Sequence, residues 1–157
     1  MAMKRAASRS DAQQEAGRAA IARYGALQGV ALEPRRLTLR GVALQVDGYA
    51  EADGRVVLAE VWAHIGPAKG AQRHRVLADV LKLALVSKIL REERPGYRID
   101  CAFVLLNEEA AGILRGQGWP AAAAEEFDIQ VAVVPIDQDL VEAVRAAQVR
   151  QDLRNDE

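Results

Sequence analysis

Residues 46–66, VDGYAEADGRVVLAEVWAHIG, read as two strands joined by a tight turn. Most of its residues are apolar, with β-branched and aromatic side chains that suit a pleated surface among them. Asp53–Gly54 supplies the turn, because a two-residue type I′ turn needs positive φ at both central positions. With the turn there, Ala52 faces Arg55 and Asp47 faces Glu60. Side chains alternate faces along a strand. One face then collects Val42, Leu44, Val46, Gly48 and Ala50 with Val57, Ala59, Val61, Ala63 and Ile65, and is expected to be core. The other holds Gln45, Asp47, Tyr49, Leu58, Glu60, Trp62 and His64. Directly opposed residues have Cβ atoms about 5 Å apart, so two like charges there destabilise the pair. Either both acids face water, or they share a cation. Magnesium suits the second case, since it favours one or two carboxylates plus waters.

The flanking chain alternates helix and strand signals. Ser10 and Gln13 have capping-box spacing, and a helix is expected over 11–28. RRLTLRGVALQV, 35–46, is strand-like with a break at Gly41, and GPAKG, 66–70, is a loop. A long helix is expected over 71–93, ended by Pro95–Gly96, with Val76, Val80, Leu83 and Ile89 on its apolar side. YRIDCAFVLL, 97–106, has the composition of a buried strand, and Asn107 caps a short helix over 108–115. RGQGWP, 115–120, is expected to be a turn, with Trp119 plugging the core edge. FDIQVAVVPI, 127–136, is a further strand, and a helix from Asp137 to about Arg150 closes the fold. The order implies an α/β protein with a mixed sheet between helices. Residues 1–9 are expected to form a flexible basic leader, 10–150 a single domain and 151–157 a solvated tail.

Composition narrows the function. The 157 residues are 50% hydrophobic, which is enough for one sizeable core, and the net charge is −1. Nucleic acid would have to be met by a local basic surface, not by global charge. Cys101 is the single cysteine, so no disulfide forms within the chain, which suits a reducing cytoplasm. The basic start carries no following apolar stretch, so no signal peptide is expected. The apolar run from Val76 to Leu90 is broken by Asp79, Lys82 and Lys88 and is too short and charged to span a membrane. The chain contains no GxGxxG, P-loop, CxxC, HExxH or Gly-x-Ser-x-Gly motif. The expected partners are nucleic acid and a second copy of the chain.

An acid on one strand, a turn, a glutamate on the next strand and then a long helix resemble the PD-(D/E)XK phosphodiesterase superfamily, the restriction-endonuclease-like class. The residues that carry the resemblance are Asp47, Glu60, Val61 and Trp62. Residues 11–106 are similar to that family's helix, three strands, helix and strand core, with a C-terminal helix–strand–helix extension beyond it. The resemblance implies a small metal-dependent nuclease in which Asp47 and Glu60 hold Mg2+ or Mn2+. The family's lysine position is occupied by Trp62, so the cation is expected from elsewhere. Lys82 on the long helix is the first choice, since Arg75, Asp79 and Lys82 share one face at i, i+4 and i+7. Lys69 is the alternative. Lys69, Gln72, Arg73 and Arg75 border the expected site and are candidates for substrate contact. Glu15, His64 and Trp62 are accessory candidates: a third acid, a ligand or base, and a stacking surface. Loss of the motif lysine also fits a degenerate domain acting as a binding or assembly module.

Overall fold

The computed structural model describes residues 9–156. Helix α1, Arg9–Gln28, is followed by strands β1, Glu33–Leu39, β2, Val42–Ala52, and β3, Arg55–Trp62. Helix α2, Ala71–Glu93, leads to β4, Arg98–Leu105. A short helix α3, Glu108–Ala111, a 3-10 turn over Gly112–Leu114 and helix α4, Trp119–Glu126, precede β5, Ile129–Val133. Helix α5, Gln138–Asn155, completes the chain. The strands form one mixed, open sheet in sequential order β1-β2-β3-β4-β5. The first two pairings are antiparallel and the last two parallel. Hairpin turns make the former, and the helical crossovers through α2 and through α3–α4 make the latter.

Both faces of the sheet are covered. Val57, Ala59, Ala102 and Val104 pack against Ala16, Ala20 and Tyr24 of α1 and Val144 of α5. Val56, Leu58, Trp62, Cys101 and Phe103 pack against Val76, Val80, Leu83 and Val86 of α2. Each large apolar side chain fully buried in this way contributes about 1.5–3 kcal/mol. Burial also raises the Cys101 thiol to about 12, so it is an inert core group. The Asp53–Gly54 turn has φ of 51° and 74°, and Ala52 pairs with Arg55 as the turn chemistry predicts. Asn107 caps α3, its Oδ1 accepting from Ala110 N at 2.9 Å.

Several expectations are corrected. The second face of the hairpin is not a polar face toward water, because α2 lies over it. Val42, Leu44 and Val46 do not continue the face of Gly48 and Ala50. Between Glu33↔Tyr49 and Arg35↔Val46, two steps on β1 match three on β2, which marks a β-bulge at Asp47–Gly48 opposite Pro34. Proline has no N–H to give a ladder, so this is where an extra residue fits with least loss. The bulge inverts the alternation: Val46 joins Tyr49 and Leu58 in the α2-side core, and Leu44 packs there too. Gly48 faces α1, where an added Cβ would lie 3.0 Å from Ile21 Cγ2. Val42 is exposed. Residues 119–126, expected to open with a turn, are helical instead, with Pro120 in the first turn, where its missing N–H is harmless. Trp119 is 70% exposed and plugs nothing. Residues 151–155, expected as tail, extend α5. The expected basic leader lies outside the described residues except for Arg9, which begins α1, so Ser10 is inside the helix rather than its cap.

Candidate active site where two strands part

The ladder between β2 and β3 runs from Ala52↔Arg55 to Gly48↔Ala59 and stops there. Beyond that point β2 stays with β1 through Val42, and β3 stays with β4 through Trp62. The bulge therefore opens a wedge in the sheet. Asp47 sits at its apex and bridges it, its Oδ2 accepting from Val61 N at 2.9 Å. Glu60 is next to Val61 on β3 and points to the α2 side, where it is 1% exposed.

Lys82 reaches this wedge from α2. Its ammonium forms a close ion pair with Glu60 Oε1, donates to the Gln45 carbonyl at 2.9 Å and lies 4.0 Å from Asp79 Oδ1. Glu60 Oε1 lies against that ammonium without the geometry of a directed hydrogen bond. The electrostatics follow from burial. Desolvation raises the Glu60 pKa to about 9, and the hydrogen bond and charge of Asp47 add to the rise against the opposing pull of Lys82. A proton on Glu60 lets the two carboxyl groups hydrogen-bond rather than repel. Desolvation also raises Asp79, with Lys82 opposing it. Burial works against the charge on Lys82, while Glu60 once it ionises, Asp79 and Asp47 work for it and raise its pKa.

These groups lie in a cleft of about 750 Å³. Its α2-side wall carries Arg75, Asp79 and Lys82; its other wall is Gln13, Gln14, Gly17 and Arg18 of α1. Asp47, Glu60, Val61 and Trp62 form the floor. Gly17 brings α1 close, since an added Cβ would stand 3.2 Å from Val61 Cγ1.

Among the sequence-derived candidates, Asp47, Glu60, Lys82, Arg75 and Trp62 line the cleft, whereas Lys69, Gln72, Arg73, His64 and Glu15 do not. Gln72, in the first turn of α2, accepts from the Lys69 N–H of the preceding loop at 3.0 Å, and Arg73 lines a separate small pocket with Pro67 and Arg115. His64 is buried and stacked on Trp62, centroids 4.3 Å apart, and desolvation lowers its pKa. Glu15 is exposed on α1. The α1 wall, Gln13, Gln14 and Arg18, escaped sequence reasoning; the one signal for it was Gly17 among larger helix formers.

Two carboxylates on neighbouring strands, one of them fully buried, are a hard-oxygen donor set that suits magnesium with waters and substrate oxygens completing its shell. Among the described residues no group of three or more His, Cys, Asp or Glu side chains is placed to hold a metal. No protein-family model matches the chain, and a search of curated proteins finds no match. Among the described residues no helix is long and apolar enough to cross a membrane.

Proposed function

We propose that the protein is a small magnesium-dependent nuclease of the restriction-endonuclease-like class. The observation that carries this reading is the Lys82 ammonium against Glu60, beside Asp47, in an open cleft. The element order α1-β1-β2-β3-α2-β4, followed by an extension through α5, supports the same class. Asp47 and Glu60 would hold the metal, with the Val61 carbonyl as a further ligand. A bound divalent ion supplies a Lewis acid for phosphoryl oxygens and an acidified water. Within the chain, Lys82 orients the attacking water or neutralises charge that develops on the phosphoryl oxygens. Glu60 must release its proton and its contact with Lys82 to become a ligand, and α2 holds Lys82 ready on a rigid element. Arg75, on the same helix face, is available to substrate phosphates.

The closed Lys82–Glu60 pair also supports a second reading, a fold retained as a binding or assembly module with the ion pair as a structural element. The test is cleavage of labelled single- and double-stranded DNA and RNA with and without Mg2+ or Mn2+, with Glu60→Ala as control. Metal-dependent cleavage that Glu60→Ala abolishes supports the nuclease. An inert wild type under every divalent metal transfers the protein to the second class.

A further inference from the structure

We infer that the cleft receives a single-stranded polynucleotide, threaded between α1 and α2 with Arg18 and Arg75 holding phosphates on opposite walls. This rests on the reading of Asp47, Glu60 and Lys82 as a phosphodiester site and adds the class of substrate to it.

Three observations point to a single strand. The first is the path. α1 and α2 pack on opposite faces of the sheet, yet both line one cleft, because β2 and β3 have parted between them. A strand lying in that cleft meets side chains of both helices. The second is depth. Glu60 is buried at the floor, and a reacting phosphate must come down to it. A flexible strand can do this. A duplex is stiff over a persistence length of about 150 base pairs and presents its phosphates on a convex surface. The third is charge. Strongly salt-dependent binding to a duplex draws on Lys and Arg contacts to on the order of 6–10 phosphates. Among the described residues the cations lining the cleft are Arg18, Arg75 and Lys82, and Lys82 is already against Glu60. Arg18 makes no ion pair among the described residues. Among the described residues Arg75 makes no ion pair, and its charge acts on Asp79 one turn further along α2. Two guanidinium groups, one from each helix, are therefore available to phosphates on either side of the one at the floor.

The test separates binding from cleavage. Fluorescence anisotropy in EDTA measures the affinity of the full-length protein for a labelled 15-mer, as DNA and as RNA, and for a blunt hairpin duplex of the same sequence. The expected result is single-strand binding at least about tenfold tighter than duplex binding. Arg18→Ala and Arg75→Ala should each weaken it by about tenfold. Each should also reduce the salt-dependence slope by about 0.7, the value for one phosphate contact on a single strand. Arg145→Ala, on the exposed side of α5, should change neither quantity. Circular dichroism confirms that the variants fold. Equal or tighter duplex binding, no binding to either form, or unchanged affinity in both cleft variants overturns the inference. Single-strand binding without cleavage in Mg2+ leaves it standing and removes the nuclease reading. Cleavage of intact duplex at the single-strand rate removes it and leaves the nuclease.

Discussion

Glu60 and Glu92 are the same residue with the same kind of partner, and they end at opposite extremes. Glu92, on the exposed end of α2, accepts from Lys88 Nζ at 2.5 Å and pairs with Arg40. Hydrogen bonds from Lys88 and Arg40 bring its pKa down to about 2. Glu60 has Lys82 against it, yet its pKa rises to about 9, because burial and the adjacent Asp47 outweigh one ammonium. A cation stabilises a carboxylate when water solvates the pair; under a helix, desolvation decides. The exposed cluster reports on solubility and local helix stability. The buried one stores an acid that can be discharged, which is what a metal-binding catalytic carboxylate needs.

The sharpest way to break this contrast is to remove each lysine. Lys82→Ala should leave the fold intact and lower metal-dependent phosphodiester cleavage by about a hundredfold or more, the usual result of losing one electrostatic or proton-transfer group. Lys88→Ala should leave cleavage unchanged. Equal rates in wild type and Lys82→Ala would return Lys82 to the same structural class as Lys88.

The second test is pH. The folded state keeps the Glu60 proton to about pH 9, whereas an unfolded glutamate releases it near 4.5. The stability gained from that proton is complete below pH 4.5, declines between 4.5 and 9, and is gone above. Glu60→Gln imitates the protonated acid at every pH. From pH 5 to pH 9 the wild-type Tm should therefore fall relative to Glu60→Gln, by at least about 6 °C where 1 kcal/mol corresponds to roughly 2–4 °C. Parallel Tm curves would mean that Glu60 is ionised in the folded protein throughout.

Magnesium sharpens the same point. A ligand that binds only the folded state stabilises it, by about 2.7 kcal/mol at a hundredfold excess over Kd, and so raises Tm. The rise should be larger at pH 8.5 than at pH 6, since the ion competes with the Glu60 proton, and Asp47→Asn should abolish most of it. An equal shift in both proteins would place the ion elsewhere. The smallest effect belongs to Glu92→Gln, whose Tm should lie within replicate scatter of wild type at 0.15 M salt. Its pairing is lost only as pH falls through its low pKa, and salt screens it.

Much of the fold was legible locally. Asp53–Gly54 set the turn and the register next to it, α2 began and ended at the expected residues, and Asn107 marked its helix start. The misreadings in the hairpin share one cause: the period-2 rule assumes an unbroken ladder. Pro34 was the available warning of a bulge in the neighbouring strand, and without the strand pairing its partner position could not be assigned. Trp119 and α4 were misread because glycine, tryptophan and proline look like a turn until the alanines that follow find a sheet to pack on.

The site divides the same way. Asp47 and Glu60 were legible as neighbouring acids, although the ladder stops one pair short of setting them opposite each other, and the spacing of Arg75, Asp79 and Lys82 placed them on one helix face, because turn geometry and helical period act over a few residues. Only the tertiary structure determined that α2 crosses β3 close enough for Lys82 to meet Glu60, that α1 supplies the other wall, and that Lys69, Gln72 and Arg73 stand apart. Burial decided the rest. Whether Glu60 holds a charge or a proton depends on how much water reaches it, and water is excluded by elements far away in the chain.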